Sequence, residues 1–161
     1  MKKIITLLLL ASFGLTNAQA FKGKGDGKFD IGAVFQDGGT GIGATADFGL
    51  GLNISFGFGA SYILGVSNGY IEEQNFSDRF DAEVRMNANL GSVFQLNPKM
   101  DIYPGLDLSL KNFGAHLGMR YFFTDGFGVF TEAAVPIAKY DSQAAGFNNQ
   151  FNISLGASFN L

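Results

Sequence analysis

Phe151-Asn152-Ile153-Ser154-Leu155-Gly156-Ala157-Ser158-Phe159-Asn160-Leu161 alternates apolar and polar residues up to the last position of the chain. Successive side chains of an extended segment point to opposite faces, so this is a strand with one large apolar face and one small polar face. Chain ends in water usually fray into polar residues. This strand keeps an aromatic-tipped apolar face to its end, which calls for a closed barrel in lipid.

The same period of two recurs upstream. Lys28 to Gln36 sets Phe29, Ile31, Ala33 and Phe35 against Lys28, Asp30, Gly32, Val34 and Gln36. Asp37-Gly38 is a hairpin dipeptide, and beyond it Ile42, Ala44, Ala46, Phe48 and Leu50 oppose Gly41, Gly43, Thr45, Asp47 and Gly49. A third strand sets Ile54, Phe56, Phe58, Ala60, Tyr62 and Leu64 against Asn53, Ser55, Gly57, Gly59 and Ser61. A fourth sets Phe80, Ala82, Val84, Met86, Ala88 and Leu90 against Asp81, Glu83, Arg85, Asn87 and Asn89. The fifth alternates Ile102, Pro104, Leu106, Leu108 and Leu110 with Asp101, Tyr103, Gly105, Asp107 and Ser109. The sixth opposes Phe113, Ala115, Leu117, Met119, Tyr121 and Phe123 to Gly114, His116, Gly118 and Arg120. The seventh, after Asp125-Gly126, carries Phe127, Val129, Ala133, Val135 and Ile137 opposite Gly128, Glu132 and Ala134. Eight alternating segments between turns predict an all-β, eight-stranded antiparallel up-and-down transmembrane β-barrel.

Size decides which face points out. The interior of an eight-stranded barrel is just wide enough for side chains to fill, so the crowded face carries the small residues. Gly32, Gly41, Gly43, Gly57, Gly59, Gly105, Gly114, Gly118 and Gly156 lie on the polar face, with nearly all Phe, Leu and Ile opposite. The apolar face is therefore expected outside, unlike that of a soluble lipocalin-like binder. Phe29, Phe48, Tyr121, Phe123, Phe127 and Phe159 fall near one rim, and Phe35, Tyr62, Phe80, Phe113 and Phe151 near the other. Two aromatic rows around an aliphatic band are the girdles of a membrane barrel. Pro104 and Pro136 remove ladder donors and predict bulges or frayed ends. Thr131 falls on the outer face, and Phe122 and Phe130 point inward.

Lys2-Lys3, the apolar run from Ile4 to Leu15 and Ala18-Gln19-Ala20 form the three parts of a secretory signal peptide. Residues 1–20 are expected to be the leader and 21–161 the barrel domain. The formal charge of −3 becomes more acidic once the leader's lysines are removed, so no basic footprint for nucleic acid exists. With no Cys, the chain has neither disulfides nor thiolate metal sites. Beyond the leader no apolar run reaches the ~20 residues of a membrane helix. No cofactor is expected. The long connections from Gly65 to Ser77 and from Lys139 to Asn149 suit the outer surface, whereas Gly91 to Lys99 is long for a periplasmic turn.

The inward face gathers Asp30, Asp47, Asp81, Glu83, Asp101, Asp107 and Glu132 against Lys28, Arg85, Lys111 and Arg120. In a narrow lumen these groups must satisfy one another, so a salt-bridge column around Arg85 and Arg120 is expected. His116, the single histidine, falls on the same face and is expected to be a hydrogen-bonded interior residue. Ser109, His116 and Glu132 are one set from which a hydrolytic site could be imagined, and nothing in their spacing favours it. Gly23-Lys24-Gly25-Asp26-Gly27-Lys28 lacks the ending and the strand-to-helix context of a phosphate loop and is expected to be a flexible periplasmic lead-in.

Ser154-x-Gly156-x-x-Phe159-x-Leu161 resembles the closing-strand signal of bacterial outer-membrane barrels, with Leu161 where that signal usually ends in Phe. The chain as a whole resembles small eight-stranded barrels of the OmpA/OmpX kind. The resemblance implies residence in the outer membrane of a Gram-negative envelope, contact with its lipid, and passage through periplasmic chaperones and the barrel-assembly machinery. It also implies a non-enzymatic barrel with a filled lumen and a structural or surface-contact role. The alternatives are a narrow gated, porin-like channel or transporter for ions or small apolar molecules, a lipid-A-modifying barrel enzyme, and the soluble binder.

Overall fold

The computed structural model describes residues 19–67, 75–140 and 147–161. The expected leader, apart from Gln19 and Ala20, falls outside them, as do parts of the two long connections. Eight strands follow in order: β1 (Gly27–Gln36), β2 (Gly39–Gly49), β3 (Ile54–Val66), β4 (Phe80–Ala88), β5 (Met100–Ser109), β6 (Asn112–Phe122), β7 (Phe127–Lys139) and β8 (Asn152–Asn160). Each pairs antiparallel with its sequence neighbours, and β8 returns to β1 from Lys28↔Asn160 to Gln36↔Asn152, which closes the barrel. No open edge remains among these strands.

The one helical turn among the described residues, α1 (Phe76–Arg79), has no periodicity in the sequence to mark it. It is held locally, with the Asp78 carboxylate accepting from the Asn75 N–H at 2.9 Å. Its Phe76 ring stacks on Phe80 at 5.2 Å and meets Tyr62 at 5.3 Å, extending the aromatic row at that end. We call this the upper end. The lower end carries residues 19–26 and Leu161, and its own aromatic row runs Tyr121, Phe123, Phe127, Phe159 with centroids 5.4 to 6.1 Å apart.

Both prolines act as their missing donors dictate. Pro136 sits at a register shift, where Phe113↔Ala138 is followed by Gly114↔Pro136. At Pro104 the β4–β5 ladder stops, with paired residues running only from Glu83↔Ser109 to Asn87↔Gly105. The chains rejoin where the Leu90 N–H donates to Ile102 O at 2.9 Å.

The distribution of side chains is inverted relative to a protein folded around an oily core. Leu108, Leu117 and Leu155 are 53%, 56% and 50% exposed on the outer wall, while Arg85 and Arg120 are 2% and 1% exposed inside. Space for the interior groups comes from glycine on the neighbouring strand. Tyr103 is paired with Gly118, His116 with Gly105, and Asp107 with Gly114. A methyl group at any of these glycines would overlap the side chain opposite. Sequence alternation thus becomes a packed interior, each bulky polar side chain lying over a gap in the next strand.

Candidate functional site

The interior is built in layers. At the lower mouth Lys28 pairs with Asp26, and its ammonium lies 5.4 Å from the Phe122 ring centroid. Ala20 packs on Phe122 and donates its N–H to Pro98 O at 2.7 Å. The glycine-rich lead-in therefore folds across this mouth: the Gly25 N–H donates to Gly49 O at 2.9 Å, and Gly23 and Gly25 take φ of +92° and +85°. Only glycine adopts such angles readily. The segment that superficially matches a phosphate loop is a cover.

Above it Arg120 donates from Nε and Nη2 to Asp30 Oδ2 at 2.9 and 2.7 Å, and from Nη2 also to Asp47. Its guanidinium lies 3.9 Å from the centroid of the Tyr103 ring, a cation–π stack in a desolvated site. Ser158 Oγ donates to the other Asp30 oxygen at 2.5 Å. In the next layer Arg85 forks onto both oxygens of Glu132, Nη1 at 3.2 Å from Oε1, and lies 3.4 Å from Glu83. Arg85 Nε is 3.4 Å from Asp47 Oδ1. Planar bidentate pairing of this kind fixes orientation as well as charge. The result is one connected column, Glu83 and Glu132 to Arg85 to Asp47 to Arg120 to Asp30.

His116 stands beside the column. Its Nδ1 is 2.9 Å from Asp107 Oδ1 and its Nε2 is 2.7 Å from Asn87 Oδ1. The Asn87 amide nitrogen donates in turn to Ser55 Oγ at 3.1 Å. Ser109 does not reach this ring; its hydroxyl accepts from the Lys111 and Asn112 N–H groups at 3.0 Å each. Glu132 is committed to Arg85. Ser109, His116 and Glu132 are not assembled into a catalytic set.

The remaining charged residues lie at the ends. Asp101, register partner of Arg120, accepts from the Gly91 N–H at 2.8 Å near the lower mouth. Asp81 accepts from the Ala82 and Leu110 N–H groups at 3.0 and 3.2 Å near the upper end, and Lys111 donates there to Asp78 O at 2.6 Å and Phe147 O at 3.2 Å. Over this end Asn148 joins four elements. Its N–H donates to Gln36 Oε1 at 2.9 Å, its amide nitrogen to Arg79 O at 2.8 Å, and its oxygens accept from Ser61 at 3.2 Å and from Asn112 at 2.9 Å. Between this clasp and the column is a cavity of about 80 Å³, lined among others by Glu83, Asp107, Glu132, Ser61 and Ser154. That is room for several waters. Asp30, at the far end of the column, also lines it, whereas Lys28, Asp101 and Phe122 of the lower mouth do not.

Of the four closing-strand residues, Ser154 and Gly156 face inward and pair with Val34 and Gly32. Phe159 faces out between Phe29 and Phe127, and Leu161, 73% exposed, donates its N–H to Gly27 O at 3.0 Å. Ser55, Asn87, Tyr103 and Ser158 were legible only as inward positions, and Asn148 not at all. Among the described residues no group of three His, Asp or Glu side chains is placed to hold a metal ion.

The fold and interior define a closed, side-chain-filled, eight-stranded antiparallel β-barrel. Residues 11–161 match a family of unknown function, DUF6646, and the chain belongs to that family. Among solved structures it is similar to a de novo designed transmembrane β-barrel, with a TM-score of 0.59 at 11% identity, over 87% of this chain and 98% of that one. At that identity the likeness is one of fold. No curated protein matches.

Proposed function

We propose that the protein is an integral outer-membrane β-barrel with a filled lumen, serving a structural or surface-contact role in the cell envelope. The observation that carries this is the inverted wall, with aliphatic side chains such as Leu108 and Leu155 half exposed outside and Arg85 and Arg120 buried within. Such a surface in water would be a liability far larger than the few hundred Å² a soluble monomer shows. In hydrocarbon it is matched, and closure leaves none of the eight strands as an open edge. Strands of 9 to 13 residues suit a tilted bilayer crossing. The leader at 1–20 exports the chain, and Ser154, Gly156, Phe159 and Leu161 present the last strand to the assembly machinery.

Membrane fractionation of the native host, followed by migration on gels with and without boiling, tests this reading. The protein should sediment with outer membranes and migrate faster unboiled; a detergent-independent soluble form would overturn it. The upper cavity favours one second reading, a gated path for ions or small molecules. Planar-bilayer recordings separate the two, since a filled lumen shows no steady conductance.

A further inference from the structure

The connection between β4 and β5 is long for a turn at this end, yet it is well built. The Phe94 and Leu96 N–H groups donate to Leu90 O and Gly91 O at 2.9 Å each, and the Met100 N–H donates to Asn97 O at 2.8 Å. Gln95 takes the left-handed conformation at φ 52°. What this framework displays is apolar: Val93 is 53% and Phe94 59% exposed. The β2–β3 turn does the same with Leu50 at 57% and Leu52 at 85%. The two turns are tied together, for Ser92 Oγ donates to Asn53 Oδ1 at 2.9 Å and the Asn89 N–H donates to Asn53 O at 2.8 Å.

Cations accompany these tips. The lead-in runs past the β2–β3 turn, with Gly23 beside Gly51 and Leu52. Exposed Lys22 and Lys24 flank that Gly23 in the chain, and half-buried Lys99 ends the β4–β5 turn. An apolar tip flanked by lysines is the composition of a segment seated at the headgroup boundary of a bilayer. The patch is also continuous with the outer wall, because the Leu50 N–H donates to Ile54 O at 2.9 Å at the foot of β2 and β3.

We propose that Leu50, Leu52, Val93 and Phe94 form a foot that dips into the leaflet at the lower end of the barrel, with Lys22, Lys24 and Lys99 on anionic phospholipid headgroups. The inference rests on the membrane reading above and deepens it by naming a lipid contact outside the strands. The long turn at Gly91 to Lys99 is then an anchor that holds the depth of the barrel.

The chain contains no Trp, so single reporters are clean. Leader-free protein carrying Phe94→Trp, Leu52→Trp or, as a wall control, Leu155→Trp is folded into phosphatidylcholine vesicles with and without phosphatidylglycerol, brominated at shallow or deep positions. Reporters at 52 and 94 should emit to the blue, be quenched by shallow bromine and resist acrylamide, while the reporter at 155 is quenched by deep bromine. The blue shift at 94 should increase with phosphatidylglycerol, and Lys22→Gln/Lys24→Gln/Lys99→Gln should abolish that increase. Red, acrylamide-quenched emission at 52 and 94 with normal quenching at 155 overturns the foot and leaves the membrane reading standing. Loss of bromine quenching at 155 as well overturns both. A lipid response at 94 that the triple variant leaves unchanged overturns the lysine contact.

Discussion

Arg85 and Arg120 meet at one carboxylate: Arg85 Nε lies 3.4 Å from Asp47 Oδ1, and Arg120 Nη2 donates to Asp47 Oδ2. Two cations from β4 and β6 are thereby held near each other in a space with almost no solvent. Removing the shared anion leaves both facing one another.

Asp47→Asn is therefore expected to destabilise the barrel by about 3 to 5 kcal/mol, the cost of breaking a buried ion pair from one side. Asp101→Asn, at a carboxylate held by the Gly91 N–H and in salt-bridge contact with neither arginine, should cost clearly less. Urea titrations in vesicles, with unfolding followed by gel migration, give the comparison. A smaller loss at 47 than at 101 would contradict the bridging role.

Gly118→Ala forces a methyl into the volume held by the Tyr103 ring. Overpacking of this kind costs about 1 to 3 kcal/mol. Combining it with Tyr103→Leu, which vacates that volume, should cost less than the sum of the two single changes. Strict additivity in the same titration would show that the ring and the glycine do not share space.

On the outer wall, Leu108→Arg or Leu155→Arg should lower stability by about 2 to 4 kcal/mol, because a charge near the bilayer midplane is poorly solvated. Ser154→Asn, which points into the upper cavity, should be mild. Equal small effects of all three would argue against the outward assignment.

Wild-type protein in planar bilayers should carry no steady current, since Lys28, Phe122 and the two-arginine column fill the lower half of the lumen. Arg85→Ala opens a gap at the cavity floor and strands Glu132, and should produce leak currents together with a lower unfolding midpoint. A stable open channel in the wild type, unaltered by Arg85→Ala, would favour transport over structure.

Deleting Phe159 to Leu161 removes the outward ring that sits between Phe29 and Phe127 and the Leu161 bond to Gly27 O. The shortened chain should be exported but not inserted, accumulating in the periplasm or being degraded. Ordinary heat-modifiable migration of that variant would contradict a role for the closing strand in assembly.

The strands and their facing were legible in the sequence because a period of two carries both at once: Asp81, Glu83, Arg85 and Asn87 share a face by counting alone. Partner choice inside the lumen was not. Arg120 is register partner to Asp101 on β5, yet it bonds Asp30 on β1 and Asp47 on β2. Side chains that cross a lumen choose among strands far apart in the chain, and tilt sets which ones lie level. The lower cover escaped for a related reason: a glycine-rich lead-in has no periodicity to betray that it turns back over the mouth.

The facing of Tyr103 with Gly118 and of His116 with Gly105 has a consequence for how such a chain can change over time. Eight strands fix the bore, so neither a large nor a small residue is free to vary alone; bulk surrendered on one strand must reappear on its neighbour. Family members should exchange ring and glycine across these paired positions in concert, leaving a record of compensated swaps in which the occupied volume, rather than any single residue, is what is inherited.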